Sequence, residues 1–414
     1  MRGTAFHERT KSLNVSTAWF GWGEYIIPDI YTNLDRELLA IRSAVAAIDM
    51  SPLPKLDIHG KDALRFVNSL VTRDLAKHKQ GQAIFTPFCN DAGKLICDGL
   101  VFILDENHLR VCSDENIEWF QMNAGTLDVT ITNTTHLYGL LSLQGPHSKL
   151  VLDDVCDRPI DDFRFSSIRH TTIADVPVMV IRQGFTGEHG YELWVDVDNG
   201  PAVWDAVMSS GRDYGIEPAG EYAADVARVE AGFVLISADY TGAGPDLQSS
   251  NIIVDGAHQA SPYEVGYGKF VDLKKSDFVG RENLLQEHNE GATERLIVGL
   301  EFEPESLREI YRPAEVNPNV SSRVRWSPLS VVENGLPAGR ATSVTWSPTL
   351  KRVIGFGVLS LHLTEQGRKI SVEVADTVEK RSLGLGKRSG LENGWGMLFV
   401  FEKRKQHGFW MKDM

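Results

Sequence analysis

Asp98 is the residue in this sequence whose type and surroundings first ask for chemistry. It lies inside a strand-like run, KLICDGLVFIL, just after the turn-like stretch Cys89-Asn90-Asp91-Ala92-Gly93. At the strand period Ile96, Asp98, Leu100 and Phe102 fall on one face. A carboxylate in an apolar row must find a partner, a proton or a ligand, because leaving water penalises its charge. The alternative is a bulge or edge position from which Asp98 reaches water. A second carboxylate, Glu192, sits in the strand-like run YELWVDV beside Trp194. Taken alone it is a strand residue facing solvent.

Two features bound the chemistry. Lys and Arg total 42 against 56 acidic residues, a formal charge of −14, which argues against a nucleic-acid binder because counterion displacement needs a basic surface. The four cysteines, Cys89, Cys97, Cys112 and Cys156, form no CxxC pair and have no histidine at zinc-site spacing. No metal site is therefore expected, and buried free thiols fit a reduced cytoplasmic protein. No apolar run approaches the length of a membrane span, and the amino terminus lacks the apolar core of a secretory signal.

The elements that must hold these carboxylates read as an α+β pattern. Residues 34–48 have helical periodicity, with Asp35, Arg36 and Glu37 on the polar side; KLDIHG (55–60) alternates like a strand; 61–71 reads as a second helix. AIFTPF and KLICDGLVFIL form a hairpin, followed by strand HLRVCS (108–113), a helix, and strands LDVTITNTT and LYGLLSLQG. VPVMVIRQ and YELWVDV flank the turn 184–190, and the runs PAVWDAVMSSGRDYG and AADVARVEAGFVLI are helical. Strands meet through hairpins, and no GxGxxG or P-loop opens a helix, so a doubly wound nucleotide-binding sheet has no support. A long Gly-containing loop spans 237–261, the kind of segment that serves as a lid or specificity element or as a plain insertion. From about residue 294 strands dominate, LIVGLEF, GRATSVTWSP and RVIGFGVLSL, which predicts a small β-barrel.

Ten segments taken in order resemble the aminomethyltransferase family, whose name-giving member is the T-protein of the glycine cleavage system. They include FGWGEY (20–25), LVTRDL (70–75), AIFTPFCNDAGKLICDGLVF (83–102), RQGFTGEHGYELWV (182–195), PAGEYAADVARVEAG (218–232) and PYEVGYGKFVDL (262–273), and together they run from about residue 5 to 362. The resemblance implies a three-domain ring: two interleaved α+β domains over residues 1–290 and a carboxy-terminal β-barrel over 291–369. It implies tetrahydrofolate in the central opening and transfer of a one-carbon unit to N5 of the folate. By position, Asp98 matches the family's catalytic aspartate, with the face of Ile96, Leu100 and Phe102 as pocket wall. Glu192 matches the glutamate that accepts from the pterin ring, whose paired N–H donors suit a carboxylate. Phe85 and Phe185 stand where tyrosines are usual, and Ser113 where an asparagine is usual.

The chain departs from the T-protein in ways that bear on the donor. Ala224 replaces an arginine before Asp225, leaving Arg228 one turn on as a candidate folate contact; Asp49-Met50-Ser51-Pro52-Leu53-Pro54-Lys55 replaces the SHMG segment; and the 237–261 loop is longer. These differences resemble the folate-dependent demethylases of the family, which take a methyl group from a small O-, S- or N-methyl donor. The alternatives are the glycine cleavage reaction, which needs a lipoylated carrier protein, and folate binding without transfer. Residues 370–414 resemble the opening of an unrelated small β-rich domain. The expectation is a barrel without its last strand and a poorly packed tail exposing Phe409 and Trp410.

Overall fold

The computed structural model describes residues 1–114, 116–158, 160, 163–244, 259–311, 321–373 and 395–401. Phe409, Trp410 and most of the 237–261 loop lie outside them. A five-stranded antiparallel sheet has the order Gln82–Cys89, Leu95–Asp105, His108–Ser113, Lys55–His59, Thr130–Asn133. A six-stranded sheet has the order Ile168–Ile173, Val176–Ile181, Gly190–Asp196, Tyr138–Gln144, Val45–Asp49, Ile216–Ala219. The chain alternates between them, so the two units are interwoven. Their facing sides share one core, in which Ala83, Phe102 and Cys112 of the first sheet meet Leu140, Ile168, Ile181 and Trp194 of the second.

The helix expected over 34–48 is shorter. It spans Leu34–Ser43, and Val45–Asp49 is a strand buried at every position. A continuous apolar run fits a buried central strand as well as a helix, so periodicity alone misreads it. Val45–Asp49 pairs with Tyr138–Gln144 on one side and, in parallel, with Ile216–Ala219 on the other. Glu37, expected on the polar face, is 1% exposed. Its carboxylate accepts from the backbone N–H of Tyr31, Thr32 and Gly220 at 2.7, 2.8 and 2.9 Å, which is how a buried acid is satisfied. The helix read into 223–236 ends early: it spans Glu221–Ala231 and stops at Gly232, φ 85°, a left-handed cap that glycine adopts without strain.

Lys55 pins the crossing from one sheet to the other. Its buried Nζ donates to the carbonyls of Ser51 and Leu53 at 2.9 and 2.6 Å, and burial pushes its amine down to about 8. Next along the strand, Asp57 accepts from Arg110 at 2.5 and 2.9 Å, and the guanidinium lies 4.0 Å from the centre of the Tyr138 ring. The bidentate pair fixes the guanidinium, whose contact with Tyr138 ties the five-stranded sheet to the end of a central strand of the six-stranded one.

The third unit is a closed six-stranded barrel of Arg295–Phe302, Arg352–Ser360, Leu336–Ser347, Leu329–Glu333, Lys369–Glu373 and Trp395–Phe401. This differs from the incomplete barrel expected from sequence. Trp395–Phe401 pairs with Lys369–Glu373 on one side and Arg295–Phe302 on the other, supplying a β-prone run to two strand edges that would otherwise stay open. A chain ended at residue 390 is expected to melt at a lower temperature than the full chain and to aggregate more readily, as thermal denaturation and light scattering would record.

Candidate active site between the two sheets

From the shared contact of Phe102 with Trp194, ring centroids 5.1 Å apart, two rows of side chains run outward. Leu100 and then Asp98 follow on the Leu95–Asp105 strand, and Glu192 follows on Gly190–Asp196. Each of these three is half-buried, whereas Ile96, Cys97, Phe102 and Trp194 are buried. Half-exposure in mid-strand, inside a packed sheet, marks the wall of a cleft. Phe85, opposite Leu100 in the ladder, is also half-buried, and its ring meets Tyr267 and Phe270 edge-on at 5.2 and 4.9 Å.

Asp98 accepts a hydrogen bond from the Tyr240 hydroxyl, and the nearby Tyr267 side chain also favours its ionised form. Burial pushes the Asp98 carboxyl up to about 7, the two phenols oppose the rise, and the Asp114 carboxylate adds to it. Glu192 is likewise pushed up to about 7 by burial, against a hydrogen bond from Trp194 Nε1 (3.4 Å) and the charge of Lys55. The two facing walls thus each carry one carboxyl poised near neutrality, the condition in which it can hold or release a proton.

The structure sorts the residues named from sequence. Asp98, Glu192 and Phe85 border the cleft. Phe185 is half-buried in the turn before Gly190–Asp196 and packs against the large core that includes the 221–231 helix. Phe102 is fully buried and is a core residue, since the face it shares with Asp98 dips into the inter-sheet core at that point. Ile96 is fully buried too.

Ser113 faces the other way. It pairs with Gly99, so its side chain lies on the sheet face opposite Asp98, and its hydroxyl donates to the Asp114 carbonyl at 3.0 Å. A Cβ on Gly99 would stand 2.4 Å from the Cys112 carbonyl and 2.7 Å from Ser113 Cβ, so a glycine is needed where Ser113 tucks in. Asp114, one step along the ladder, is the residue that acts on Asp98, and burial pushes its own carboxyl to about 6.

Arg228 is not available to a ligand. It is 3% exposed, and its guanidinium donates to Asp225 Oδ1, Asp239 Oδ2, the Phe233 carbonyl and Ser343 Oγ at 2.8, 2.7, 3.2 and 2.8 Å. It joins the 221–231 helix to the barrel.

Sequence reasoning missed Asp114, Tyr240 and Tyr267. The ladder register of the Leu95–Ser113 hairpin would have found the first. The tyrosines reach the site only through the fold of the chain after Gly232.

All four cysteines are free and buried. Among the described residues, Asp57, His59 and His108 bring donor atoms within 4.8 Å of one another. Asp57 there is held by Arg110, whose charge opposes a cation, so the cluster reads as an ion pair beside two stacked rings. No helix among the described residues is long and apolar enough to cross a membrane.

Comparison with known proteins fits this arrangement. Residues 6–248 match the family described as GCVT N-terminal domain, and residues 320–382 match the glycine cleavage T-protein C-terminal barrel domain. Residues 361–414 match a family described as Uncharacterized ACR. An aminomethyltransferase of Halothermothrix orenii is 31% identical over 380 residues, covering 90% of this chain and 96% of the relative. One from Thermotoga maritima is 30% identical over 366 residues, covering 87% and 90%. The crystal structure of the glycine cleavage system aminomethyltransferase T from Bartonella henselae superposes with a TM-score of 0.77, at 18% identity and 99% coverage of both chains, a likeness of fold.

Proposed function

The chain belongs to the aminomethyltransferase (glycine cleavage T-protein) family of tetrahydrofolate-dependent transferases, and we propose that it moves an aminomethyl-derived one-carbon unit to N5 of tetrahydrofolate in the cleft between its two sheets. The observation that carries this reading is the pair of half-buried carboxyls, Asp98 and Glu192, on facing walls and both pushed to about 7. Among the described residues Glu192 has one donor, at 3.4 Å, for a carboxylate with several acceptor sites, so it suits the paired N–H groups of a pterin. The folate supplies the nucleophilic nitrogen. Asp98 is the group that takes the proton from that nitrogen, or stabilises the cation that develops there, as the methylene carbon bridges the folate nitrogens and ammonia and the carrier's dihydrolipoyl thiol leave with the displaced protons. Phe85 and Phe185 offer faces for stacking, and the apolar lining keeps water from the reacting carbon.

The relatives' common name supports an aminomethyl donor, which implies a lipoylated carrier protein as partner. A second reading, demethylation of a small O-, S- or N-methyl compound, draws support from the 221–231 helix. Ala224 is 3% exposed in the core there, so the position that holds an arginine in the T-protein is closed to a charged side chain. One assay separates the two. Purified protein and tetrahydrofolate are given either lipoylated carrier already loaded with an aminomethyl group or a panel of methylated donors. Methylene-tetrahydrofolate from the carrier alone is the expected result. 5-Methyl-tetrahydrofolate from a methyl donor alone would replace the first reading with the second, and no product from either would overturn both.

A further inference from the structure

We propose that Tyr240 is a positioning residue for Asp98: held rigidly between the barrel and the catalytic strand, its hydroxyl fixes the carboxylate and favours its ionised form. This deepens the reading of Asp98 given above and rests on it for its meaning in catalysis.

The chain after Gly232 is anchored on both sides of Tyr240. Ser237 takes a left-handed conformation, φ 68°, and its N–H donates to the Tyr240 carbonyl at 2.8 Å. A non-glycine residue in this region is uncommon and persists only when its surroundings enforce it. Here they do. Asp239, next to Tyr240, accepts from Arg228 (2.7 Å), the Leu235 N–H (2.8 Å), Thr342 (2.7 Å) and Ser343 (2.5 Å), so it is fixed to the barrel. Three residues past Tyr240, the Ala243 N–H donates to the Leu95 carbonyl at 2.8 Å, fixing the segment to the strand that carries Asp98. Gly244 then lies so close that a Cβ on it would stand 2.8 Å from Ile96 Cγ2. Anchored on both sides, the Tyr240 ring is 2% exposed and its hydroxyl meets Asp98 Oδ1.

A phenol held this way does two things. It occupies one carboxylate oxygen with a fixed donor, which orients the other toward the cleft. It also stabilises the charged form against burial and against the facing Asp114 carboxylate. The groups that face Asp98 are Asp114 across the ladder, Tyr240 and Tyr267 from the chain beyond Gly232, and the buried Cys97 thiol on its own strand; Asp239 and Arg228 act one shell out, on Tyr267. Burial and the neighbouring carboxylate hold the Tyr240 phenol well above its ordinary value, so it keeps its proton and donates throughout the working range.

The test reads Asp98 directly. Full-length protein labelled with carbon-13 at aspartate carboxyls is titrated by NMR, with the Asp98 signal assigned by its loss in Asp98→Asn. In Tyr240→Phe the midpoint is expected to rise by about one pH unit, a tenfold change in the ionisation constant, with a smaller rise in Tyr267→Phe. 3-Fluorotyrosine at position 240 keeps the ring and strengthens the donor, so it moves the midpoint down and serves if Tyr240→Phe does not fold. Tetrahydrofolate binding by calorimetry, measured well above the midpoint, is expected to stay close to that of the unaltered protein in Tyr240→Phe. An unchanged midpoint in a folded variant overturns the proposal. If the unaltered protein takes up no tetrahydrofolate while the midpoint still moves, the functional reading fails and the positioning role stands.

Discussion

Asp98→Asn is expected to slow one-carbon transfer by about 10²- to 10⁴-fold, the range that a positioned acid–base group contributes, while tetrahydrofolate affinity changes little because Glu192 on the opposite wall is untouched. The pH profile follows from the site. Burial pushes the Asp98 carboxyl from 3.8 to about 7, so the rate of the unaltered protein climbs with pH through about 7 and levels off once the carboxylate is formed. Asp98→Asn loses that limb. Stability carries the opposite sign. The folded carboxyl holds its proton more tightly than the unfolded chain does, so between about pH 4 and pH 7 the folded state binds the extra proton and stability falls as pH rises through that window. Asparagine has no such proton, and its side-chain oxygen can still accept from Tyr240. Melting curves at pH 5 and pH 8 are therefore expected to show the unaltered protein losing more stability on the rise than the variant. A variant that kept full rate would remove Asp98 from the mechanism, and equal pH sensitivity of melting would remove the buried-acid account.

What could be read from the amino-acid sequence divides along physical lines. Glu192 read alone as a strand residue facing solvent and was named through the family resemblance, whereas Asp98 drew attention in the sequence because it puts a charge into a row of apolar strand residues that alternation places on one face. Phe102 shares that face and was misassigned for the same reason: alternation fixes the side of a sheet but not the depth along it. Ser113 was named through the family resemblance, and its pairing with Gly99 turns its side chain to the face opposite Asp98, since successive strand residues point to opposite faces. The strand Val45–Asp49 hid inside a helical pattern because a strand buried on both faces shows no alternation. Tyr240 and Tyr267 lie more than a hundred residues from Asp98 in the chain, and nothing local in their surroundings marks them. Closure of the barrel by Trp395–Phe401 depended on pairing across the sheet, which a segment resembling an unrelated domain does not announce.

Arg228→Met is expected to destabilise the protein by about 3–5 kcal/mol, the usual cost of removing one partner from a buried ionic cluster. The guanidinium serves two buried carboxylates at once, Asp225 at 2.8 Å and Asp239 at 2.7 Å, and the barrel hydroxyl of Ser343 at 2.8 Å. Without it, Asp225 keeps Trp326 Nε1 at 2.8 Å, and Asp239 keeps the Leu235 N–H, Thr342 and Ser343, but the guanidinium they share is gone, and Arg340 near Asp239 and Arg323 near Asp225 offset their charges only in part. Lysine is expected to rescue little, because one ammonium cannot span acceptors arranged around a planar fork. Urea denaturation of Arg228→Met, Asp225→Asn and the double variant closes a cycle in which the double is expected to lose less than the sum of the singles, since each removes part of the same cluster. The cycle also separates anchoring from ligand contact. A folate-gripping arginine would lose affinity and keep stability when replaced; an anchoring one loses stability first. Because Asp239 precedes Tyr240, loosening the cluster also frees the hydroxyl that holds Asp98. In conditions where Arg228→Met is still folded, the rate should therefore fall more than tetrahydrofolate affinity does, and equal losses in both would place Arg228 in the binding site instead.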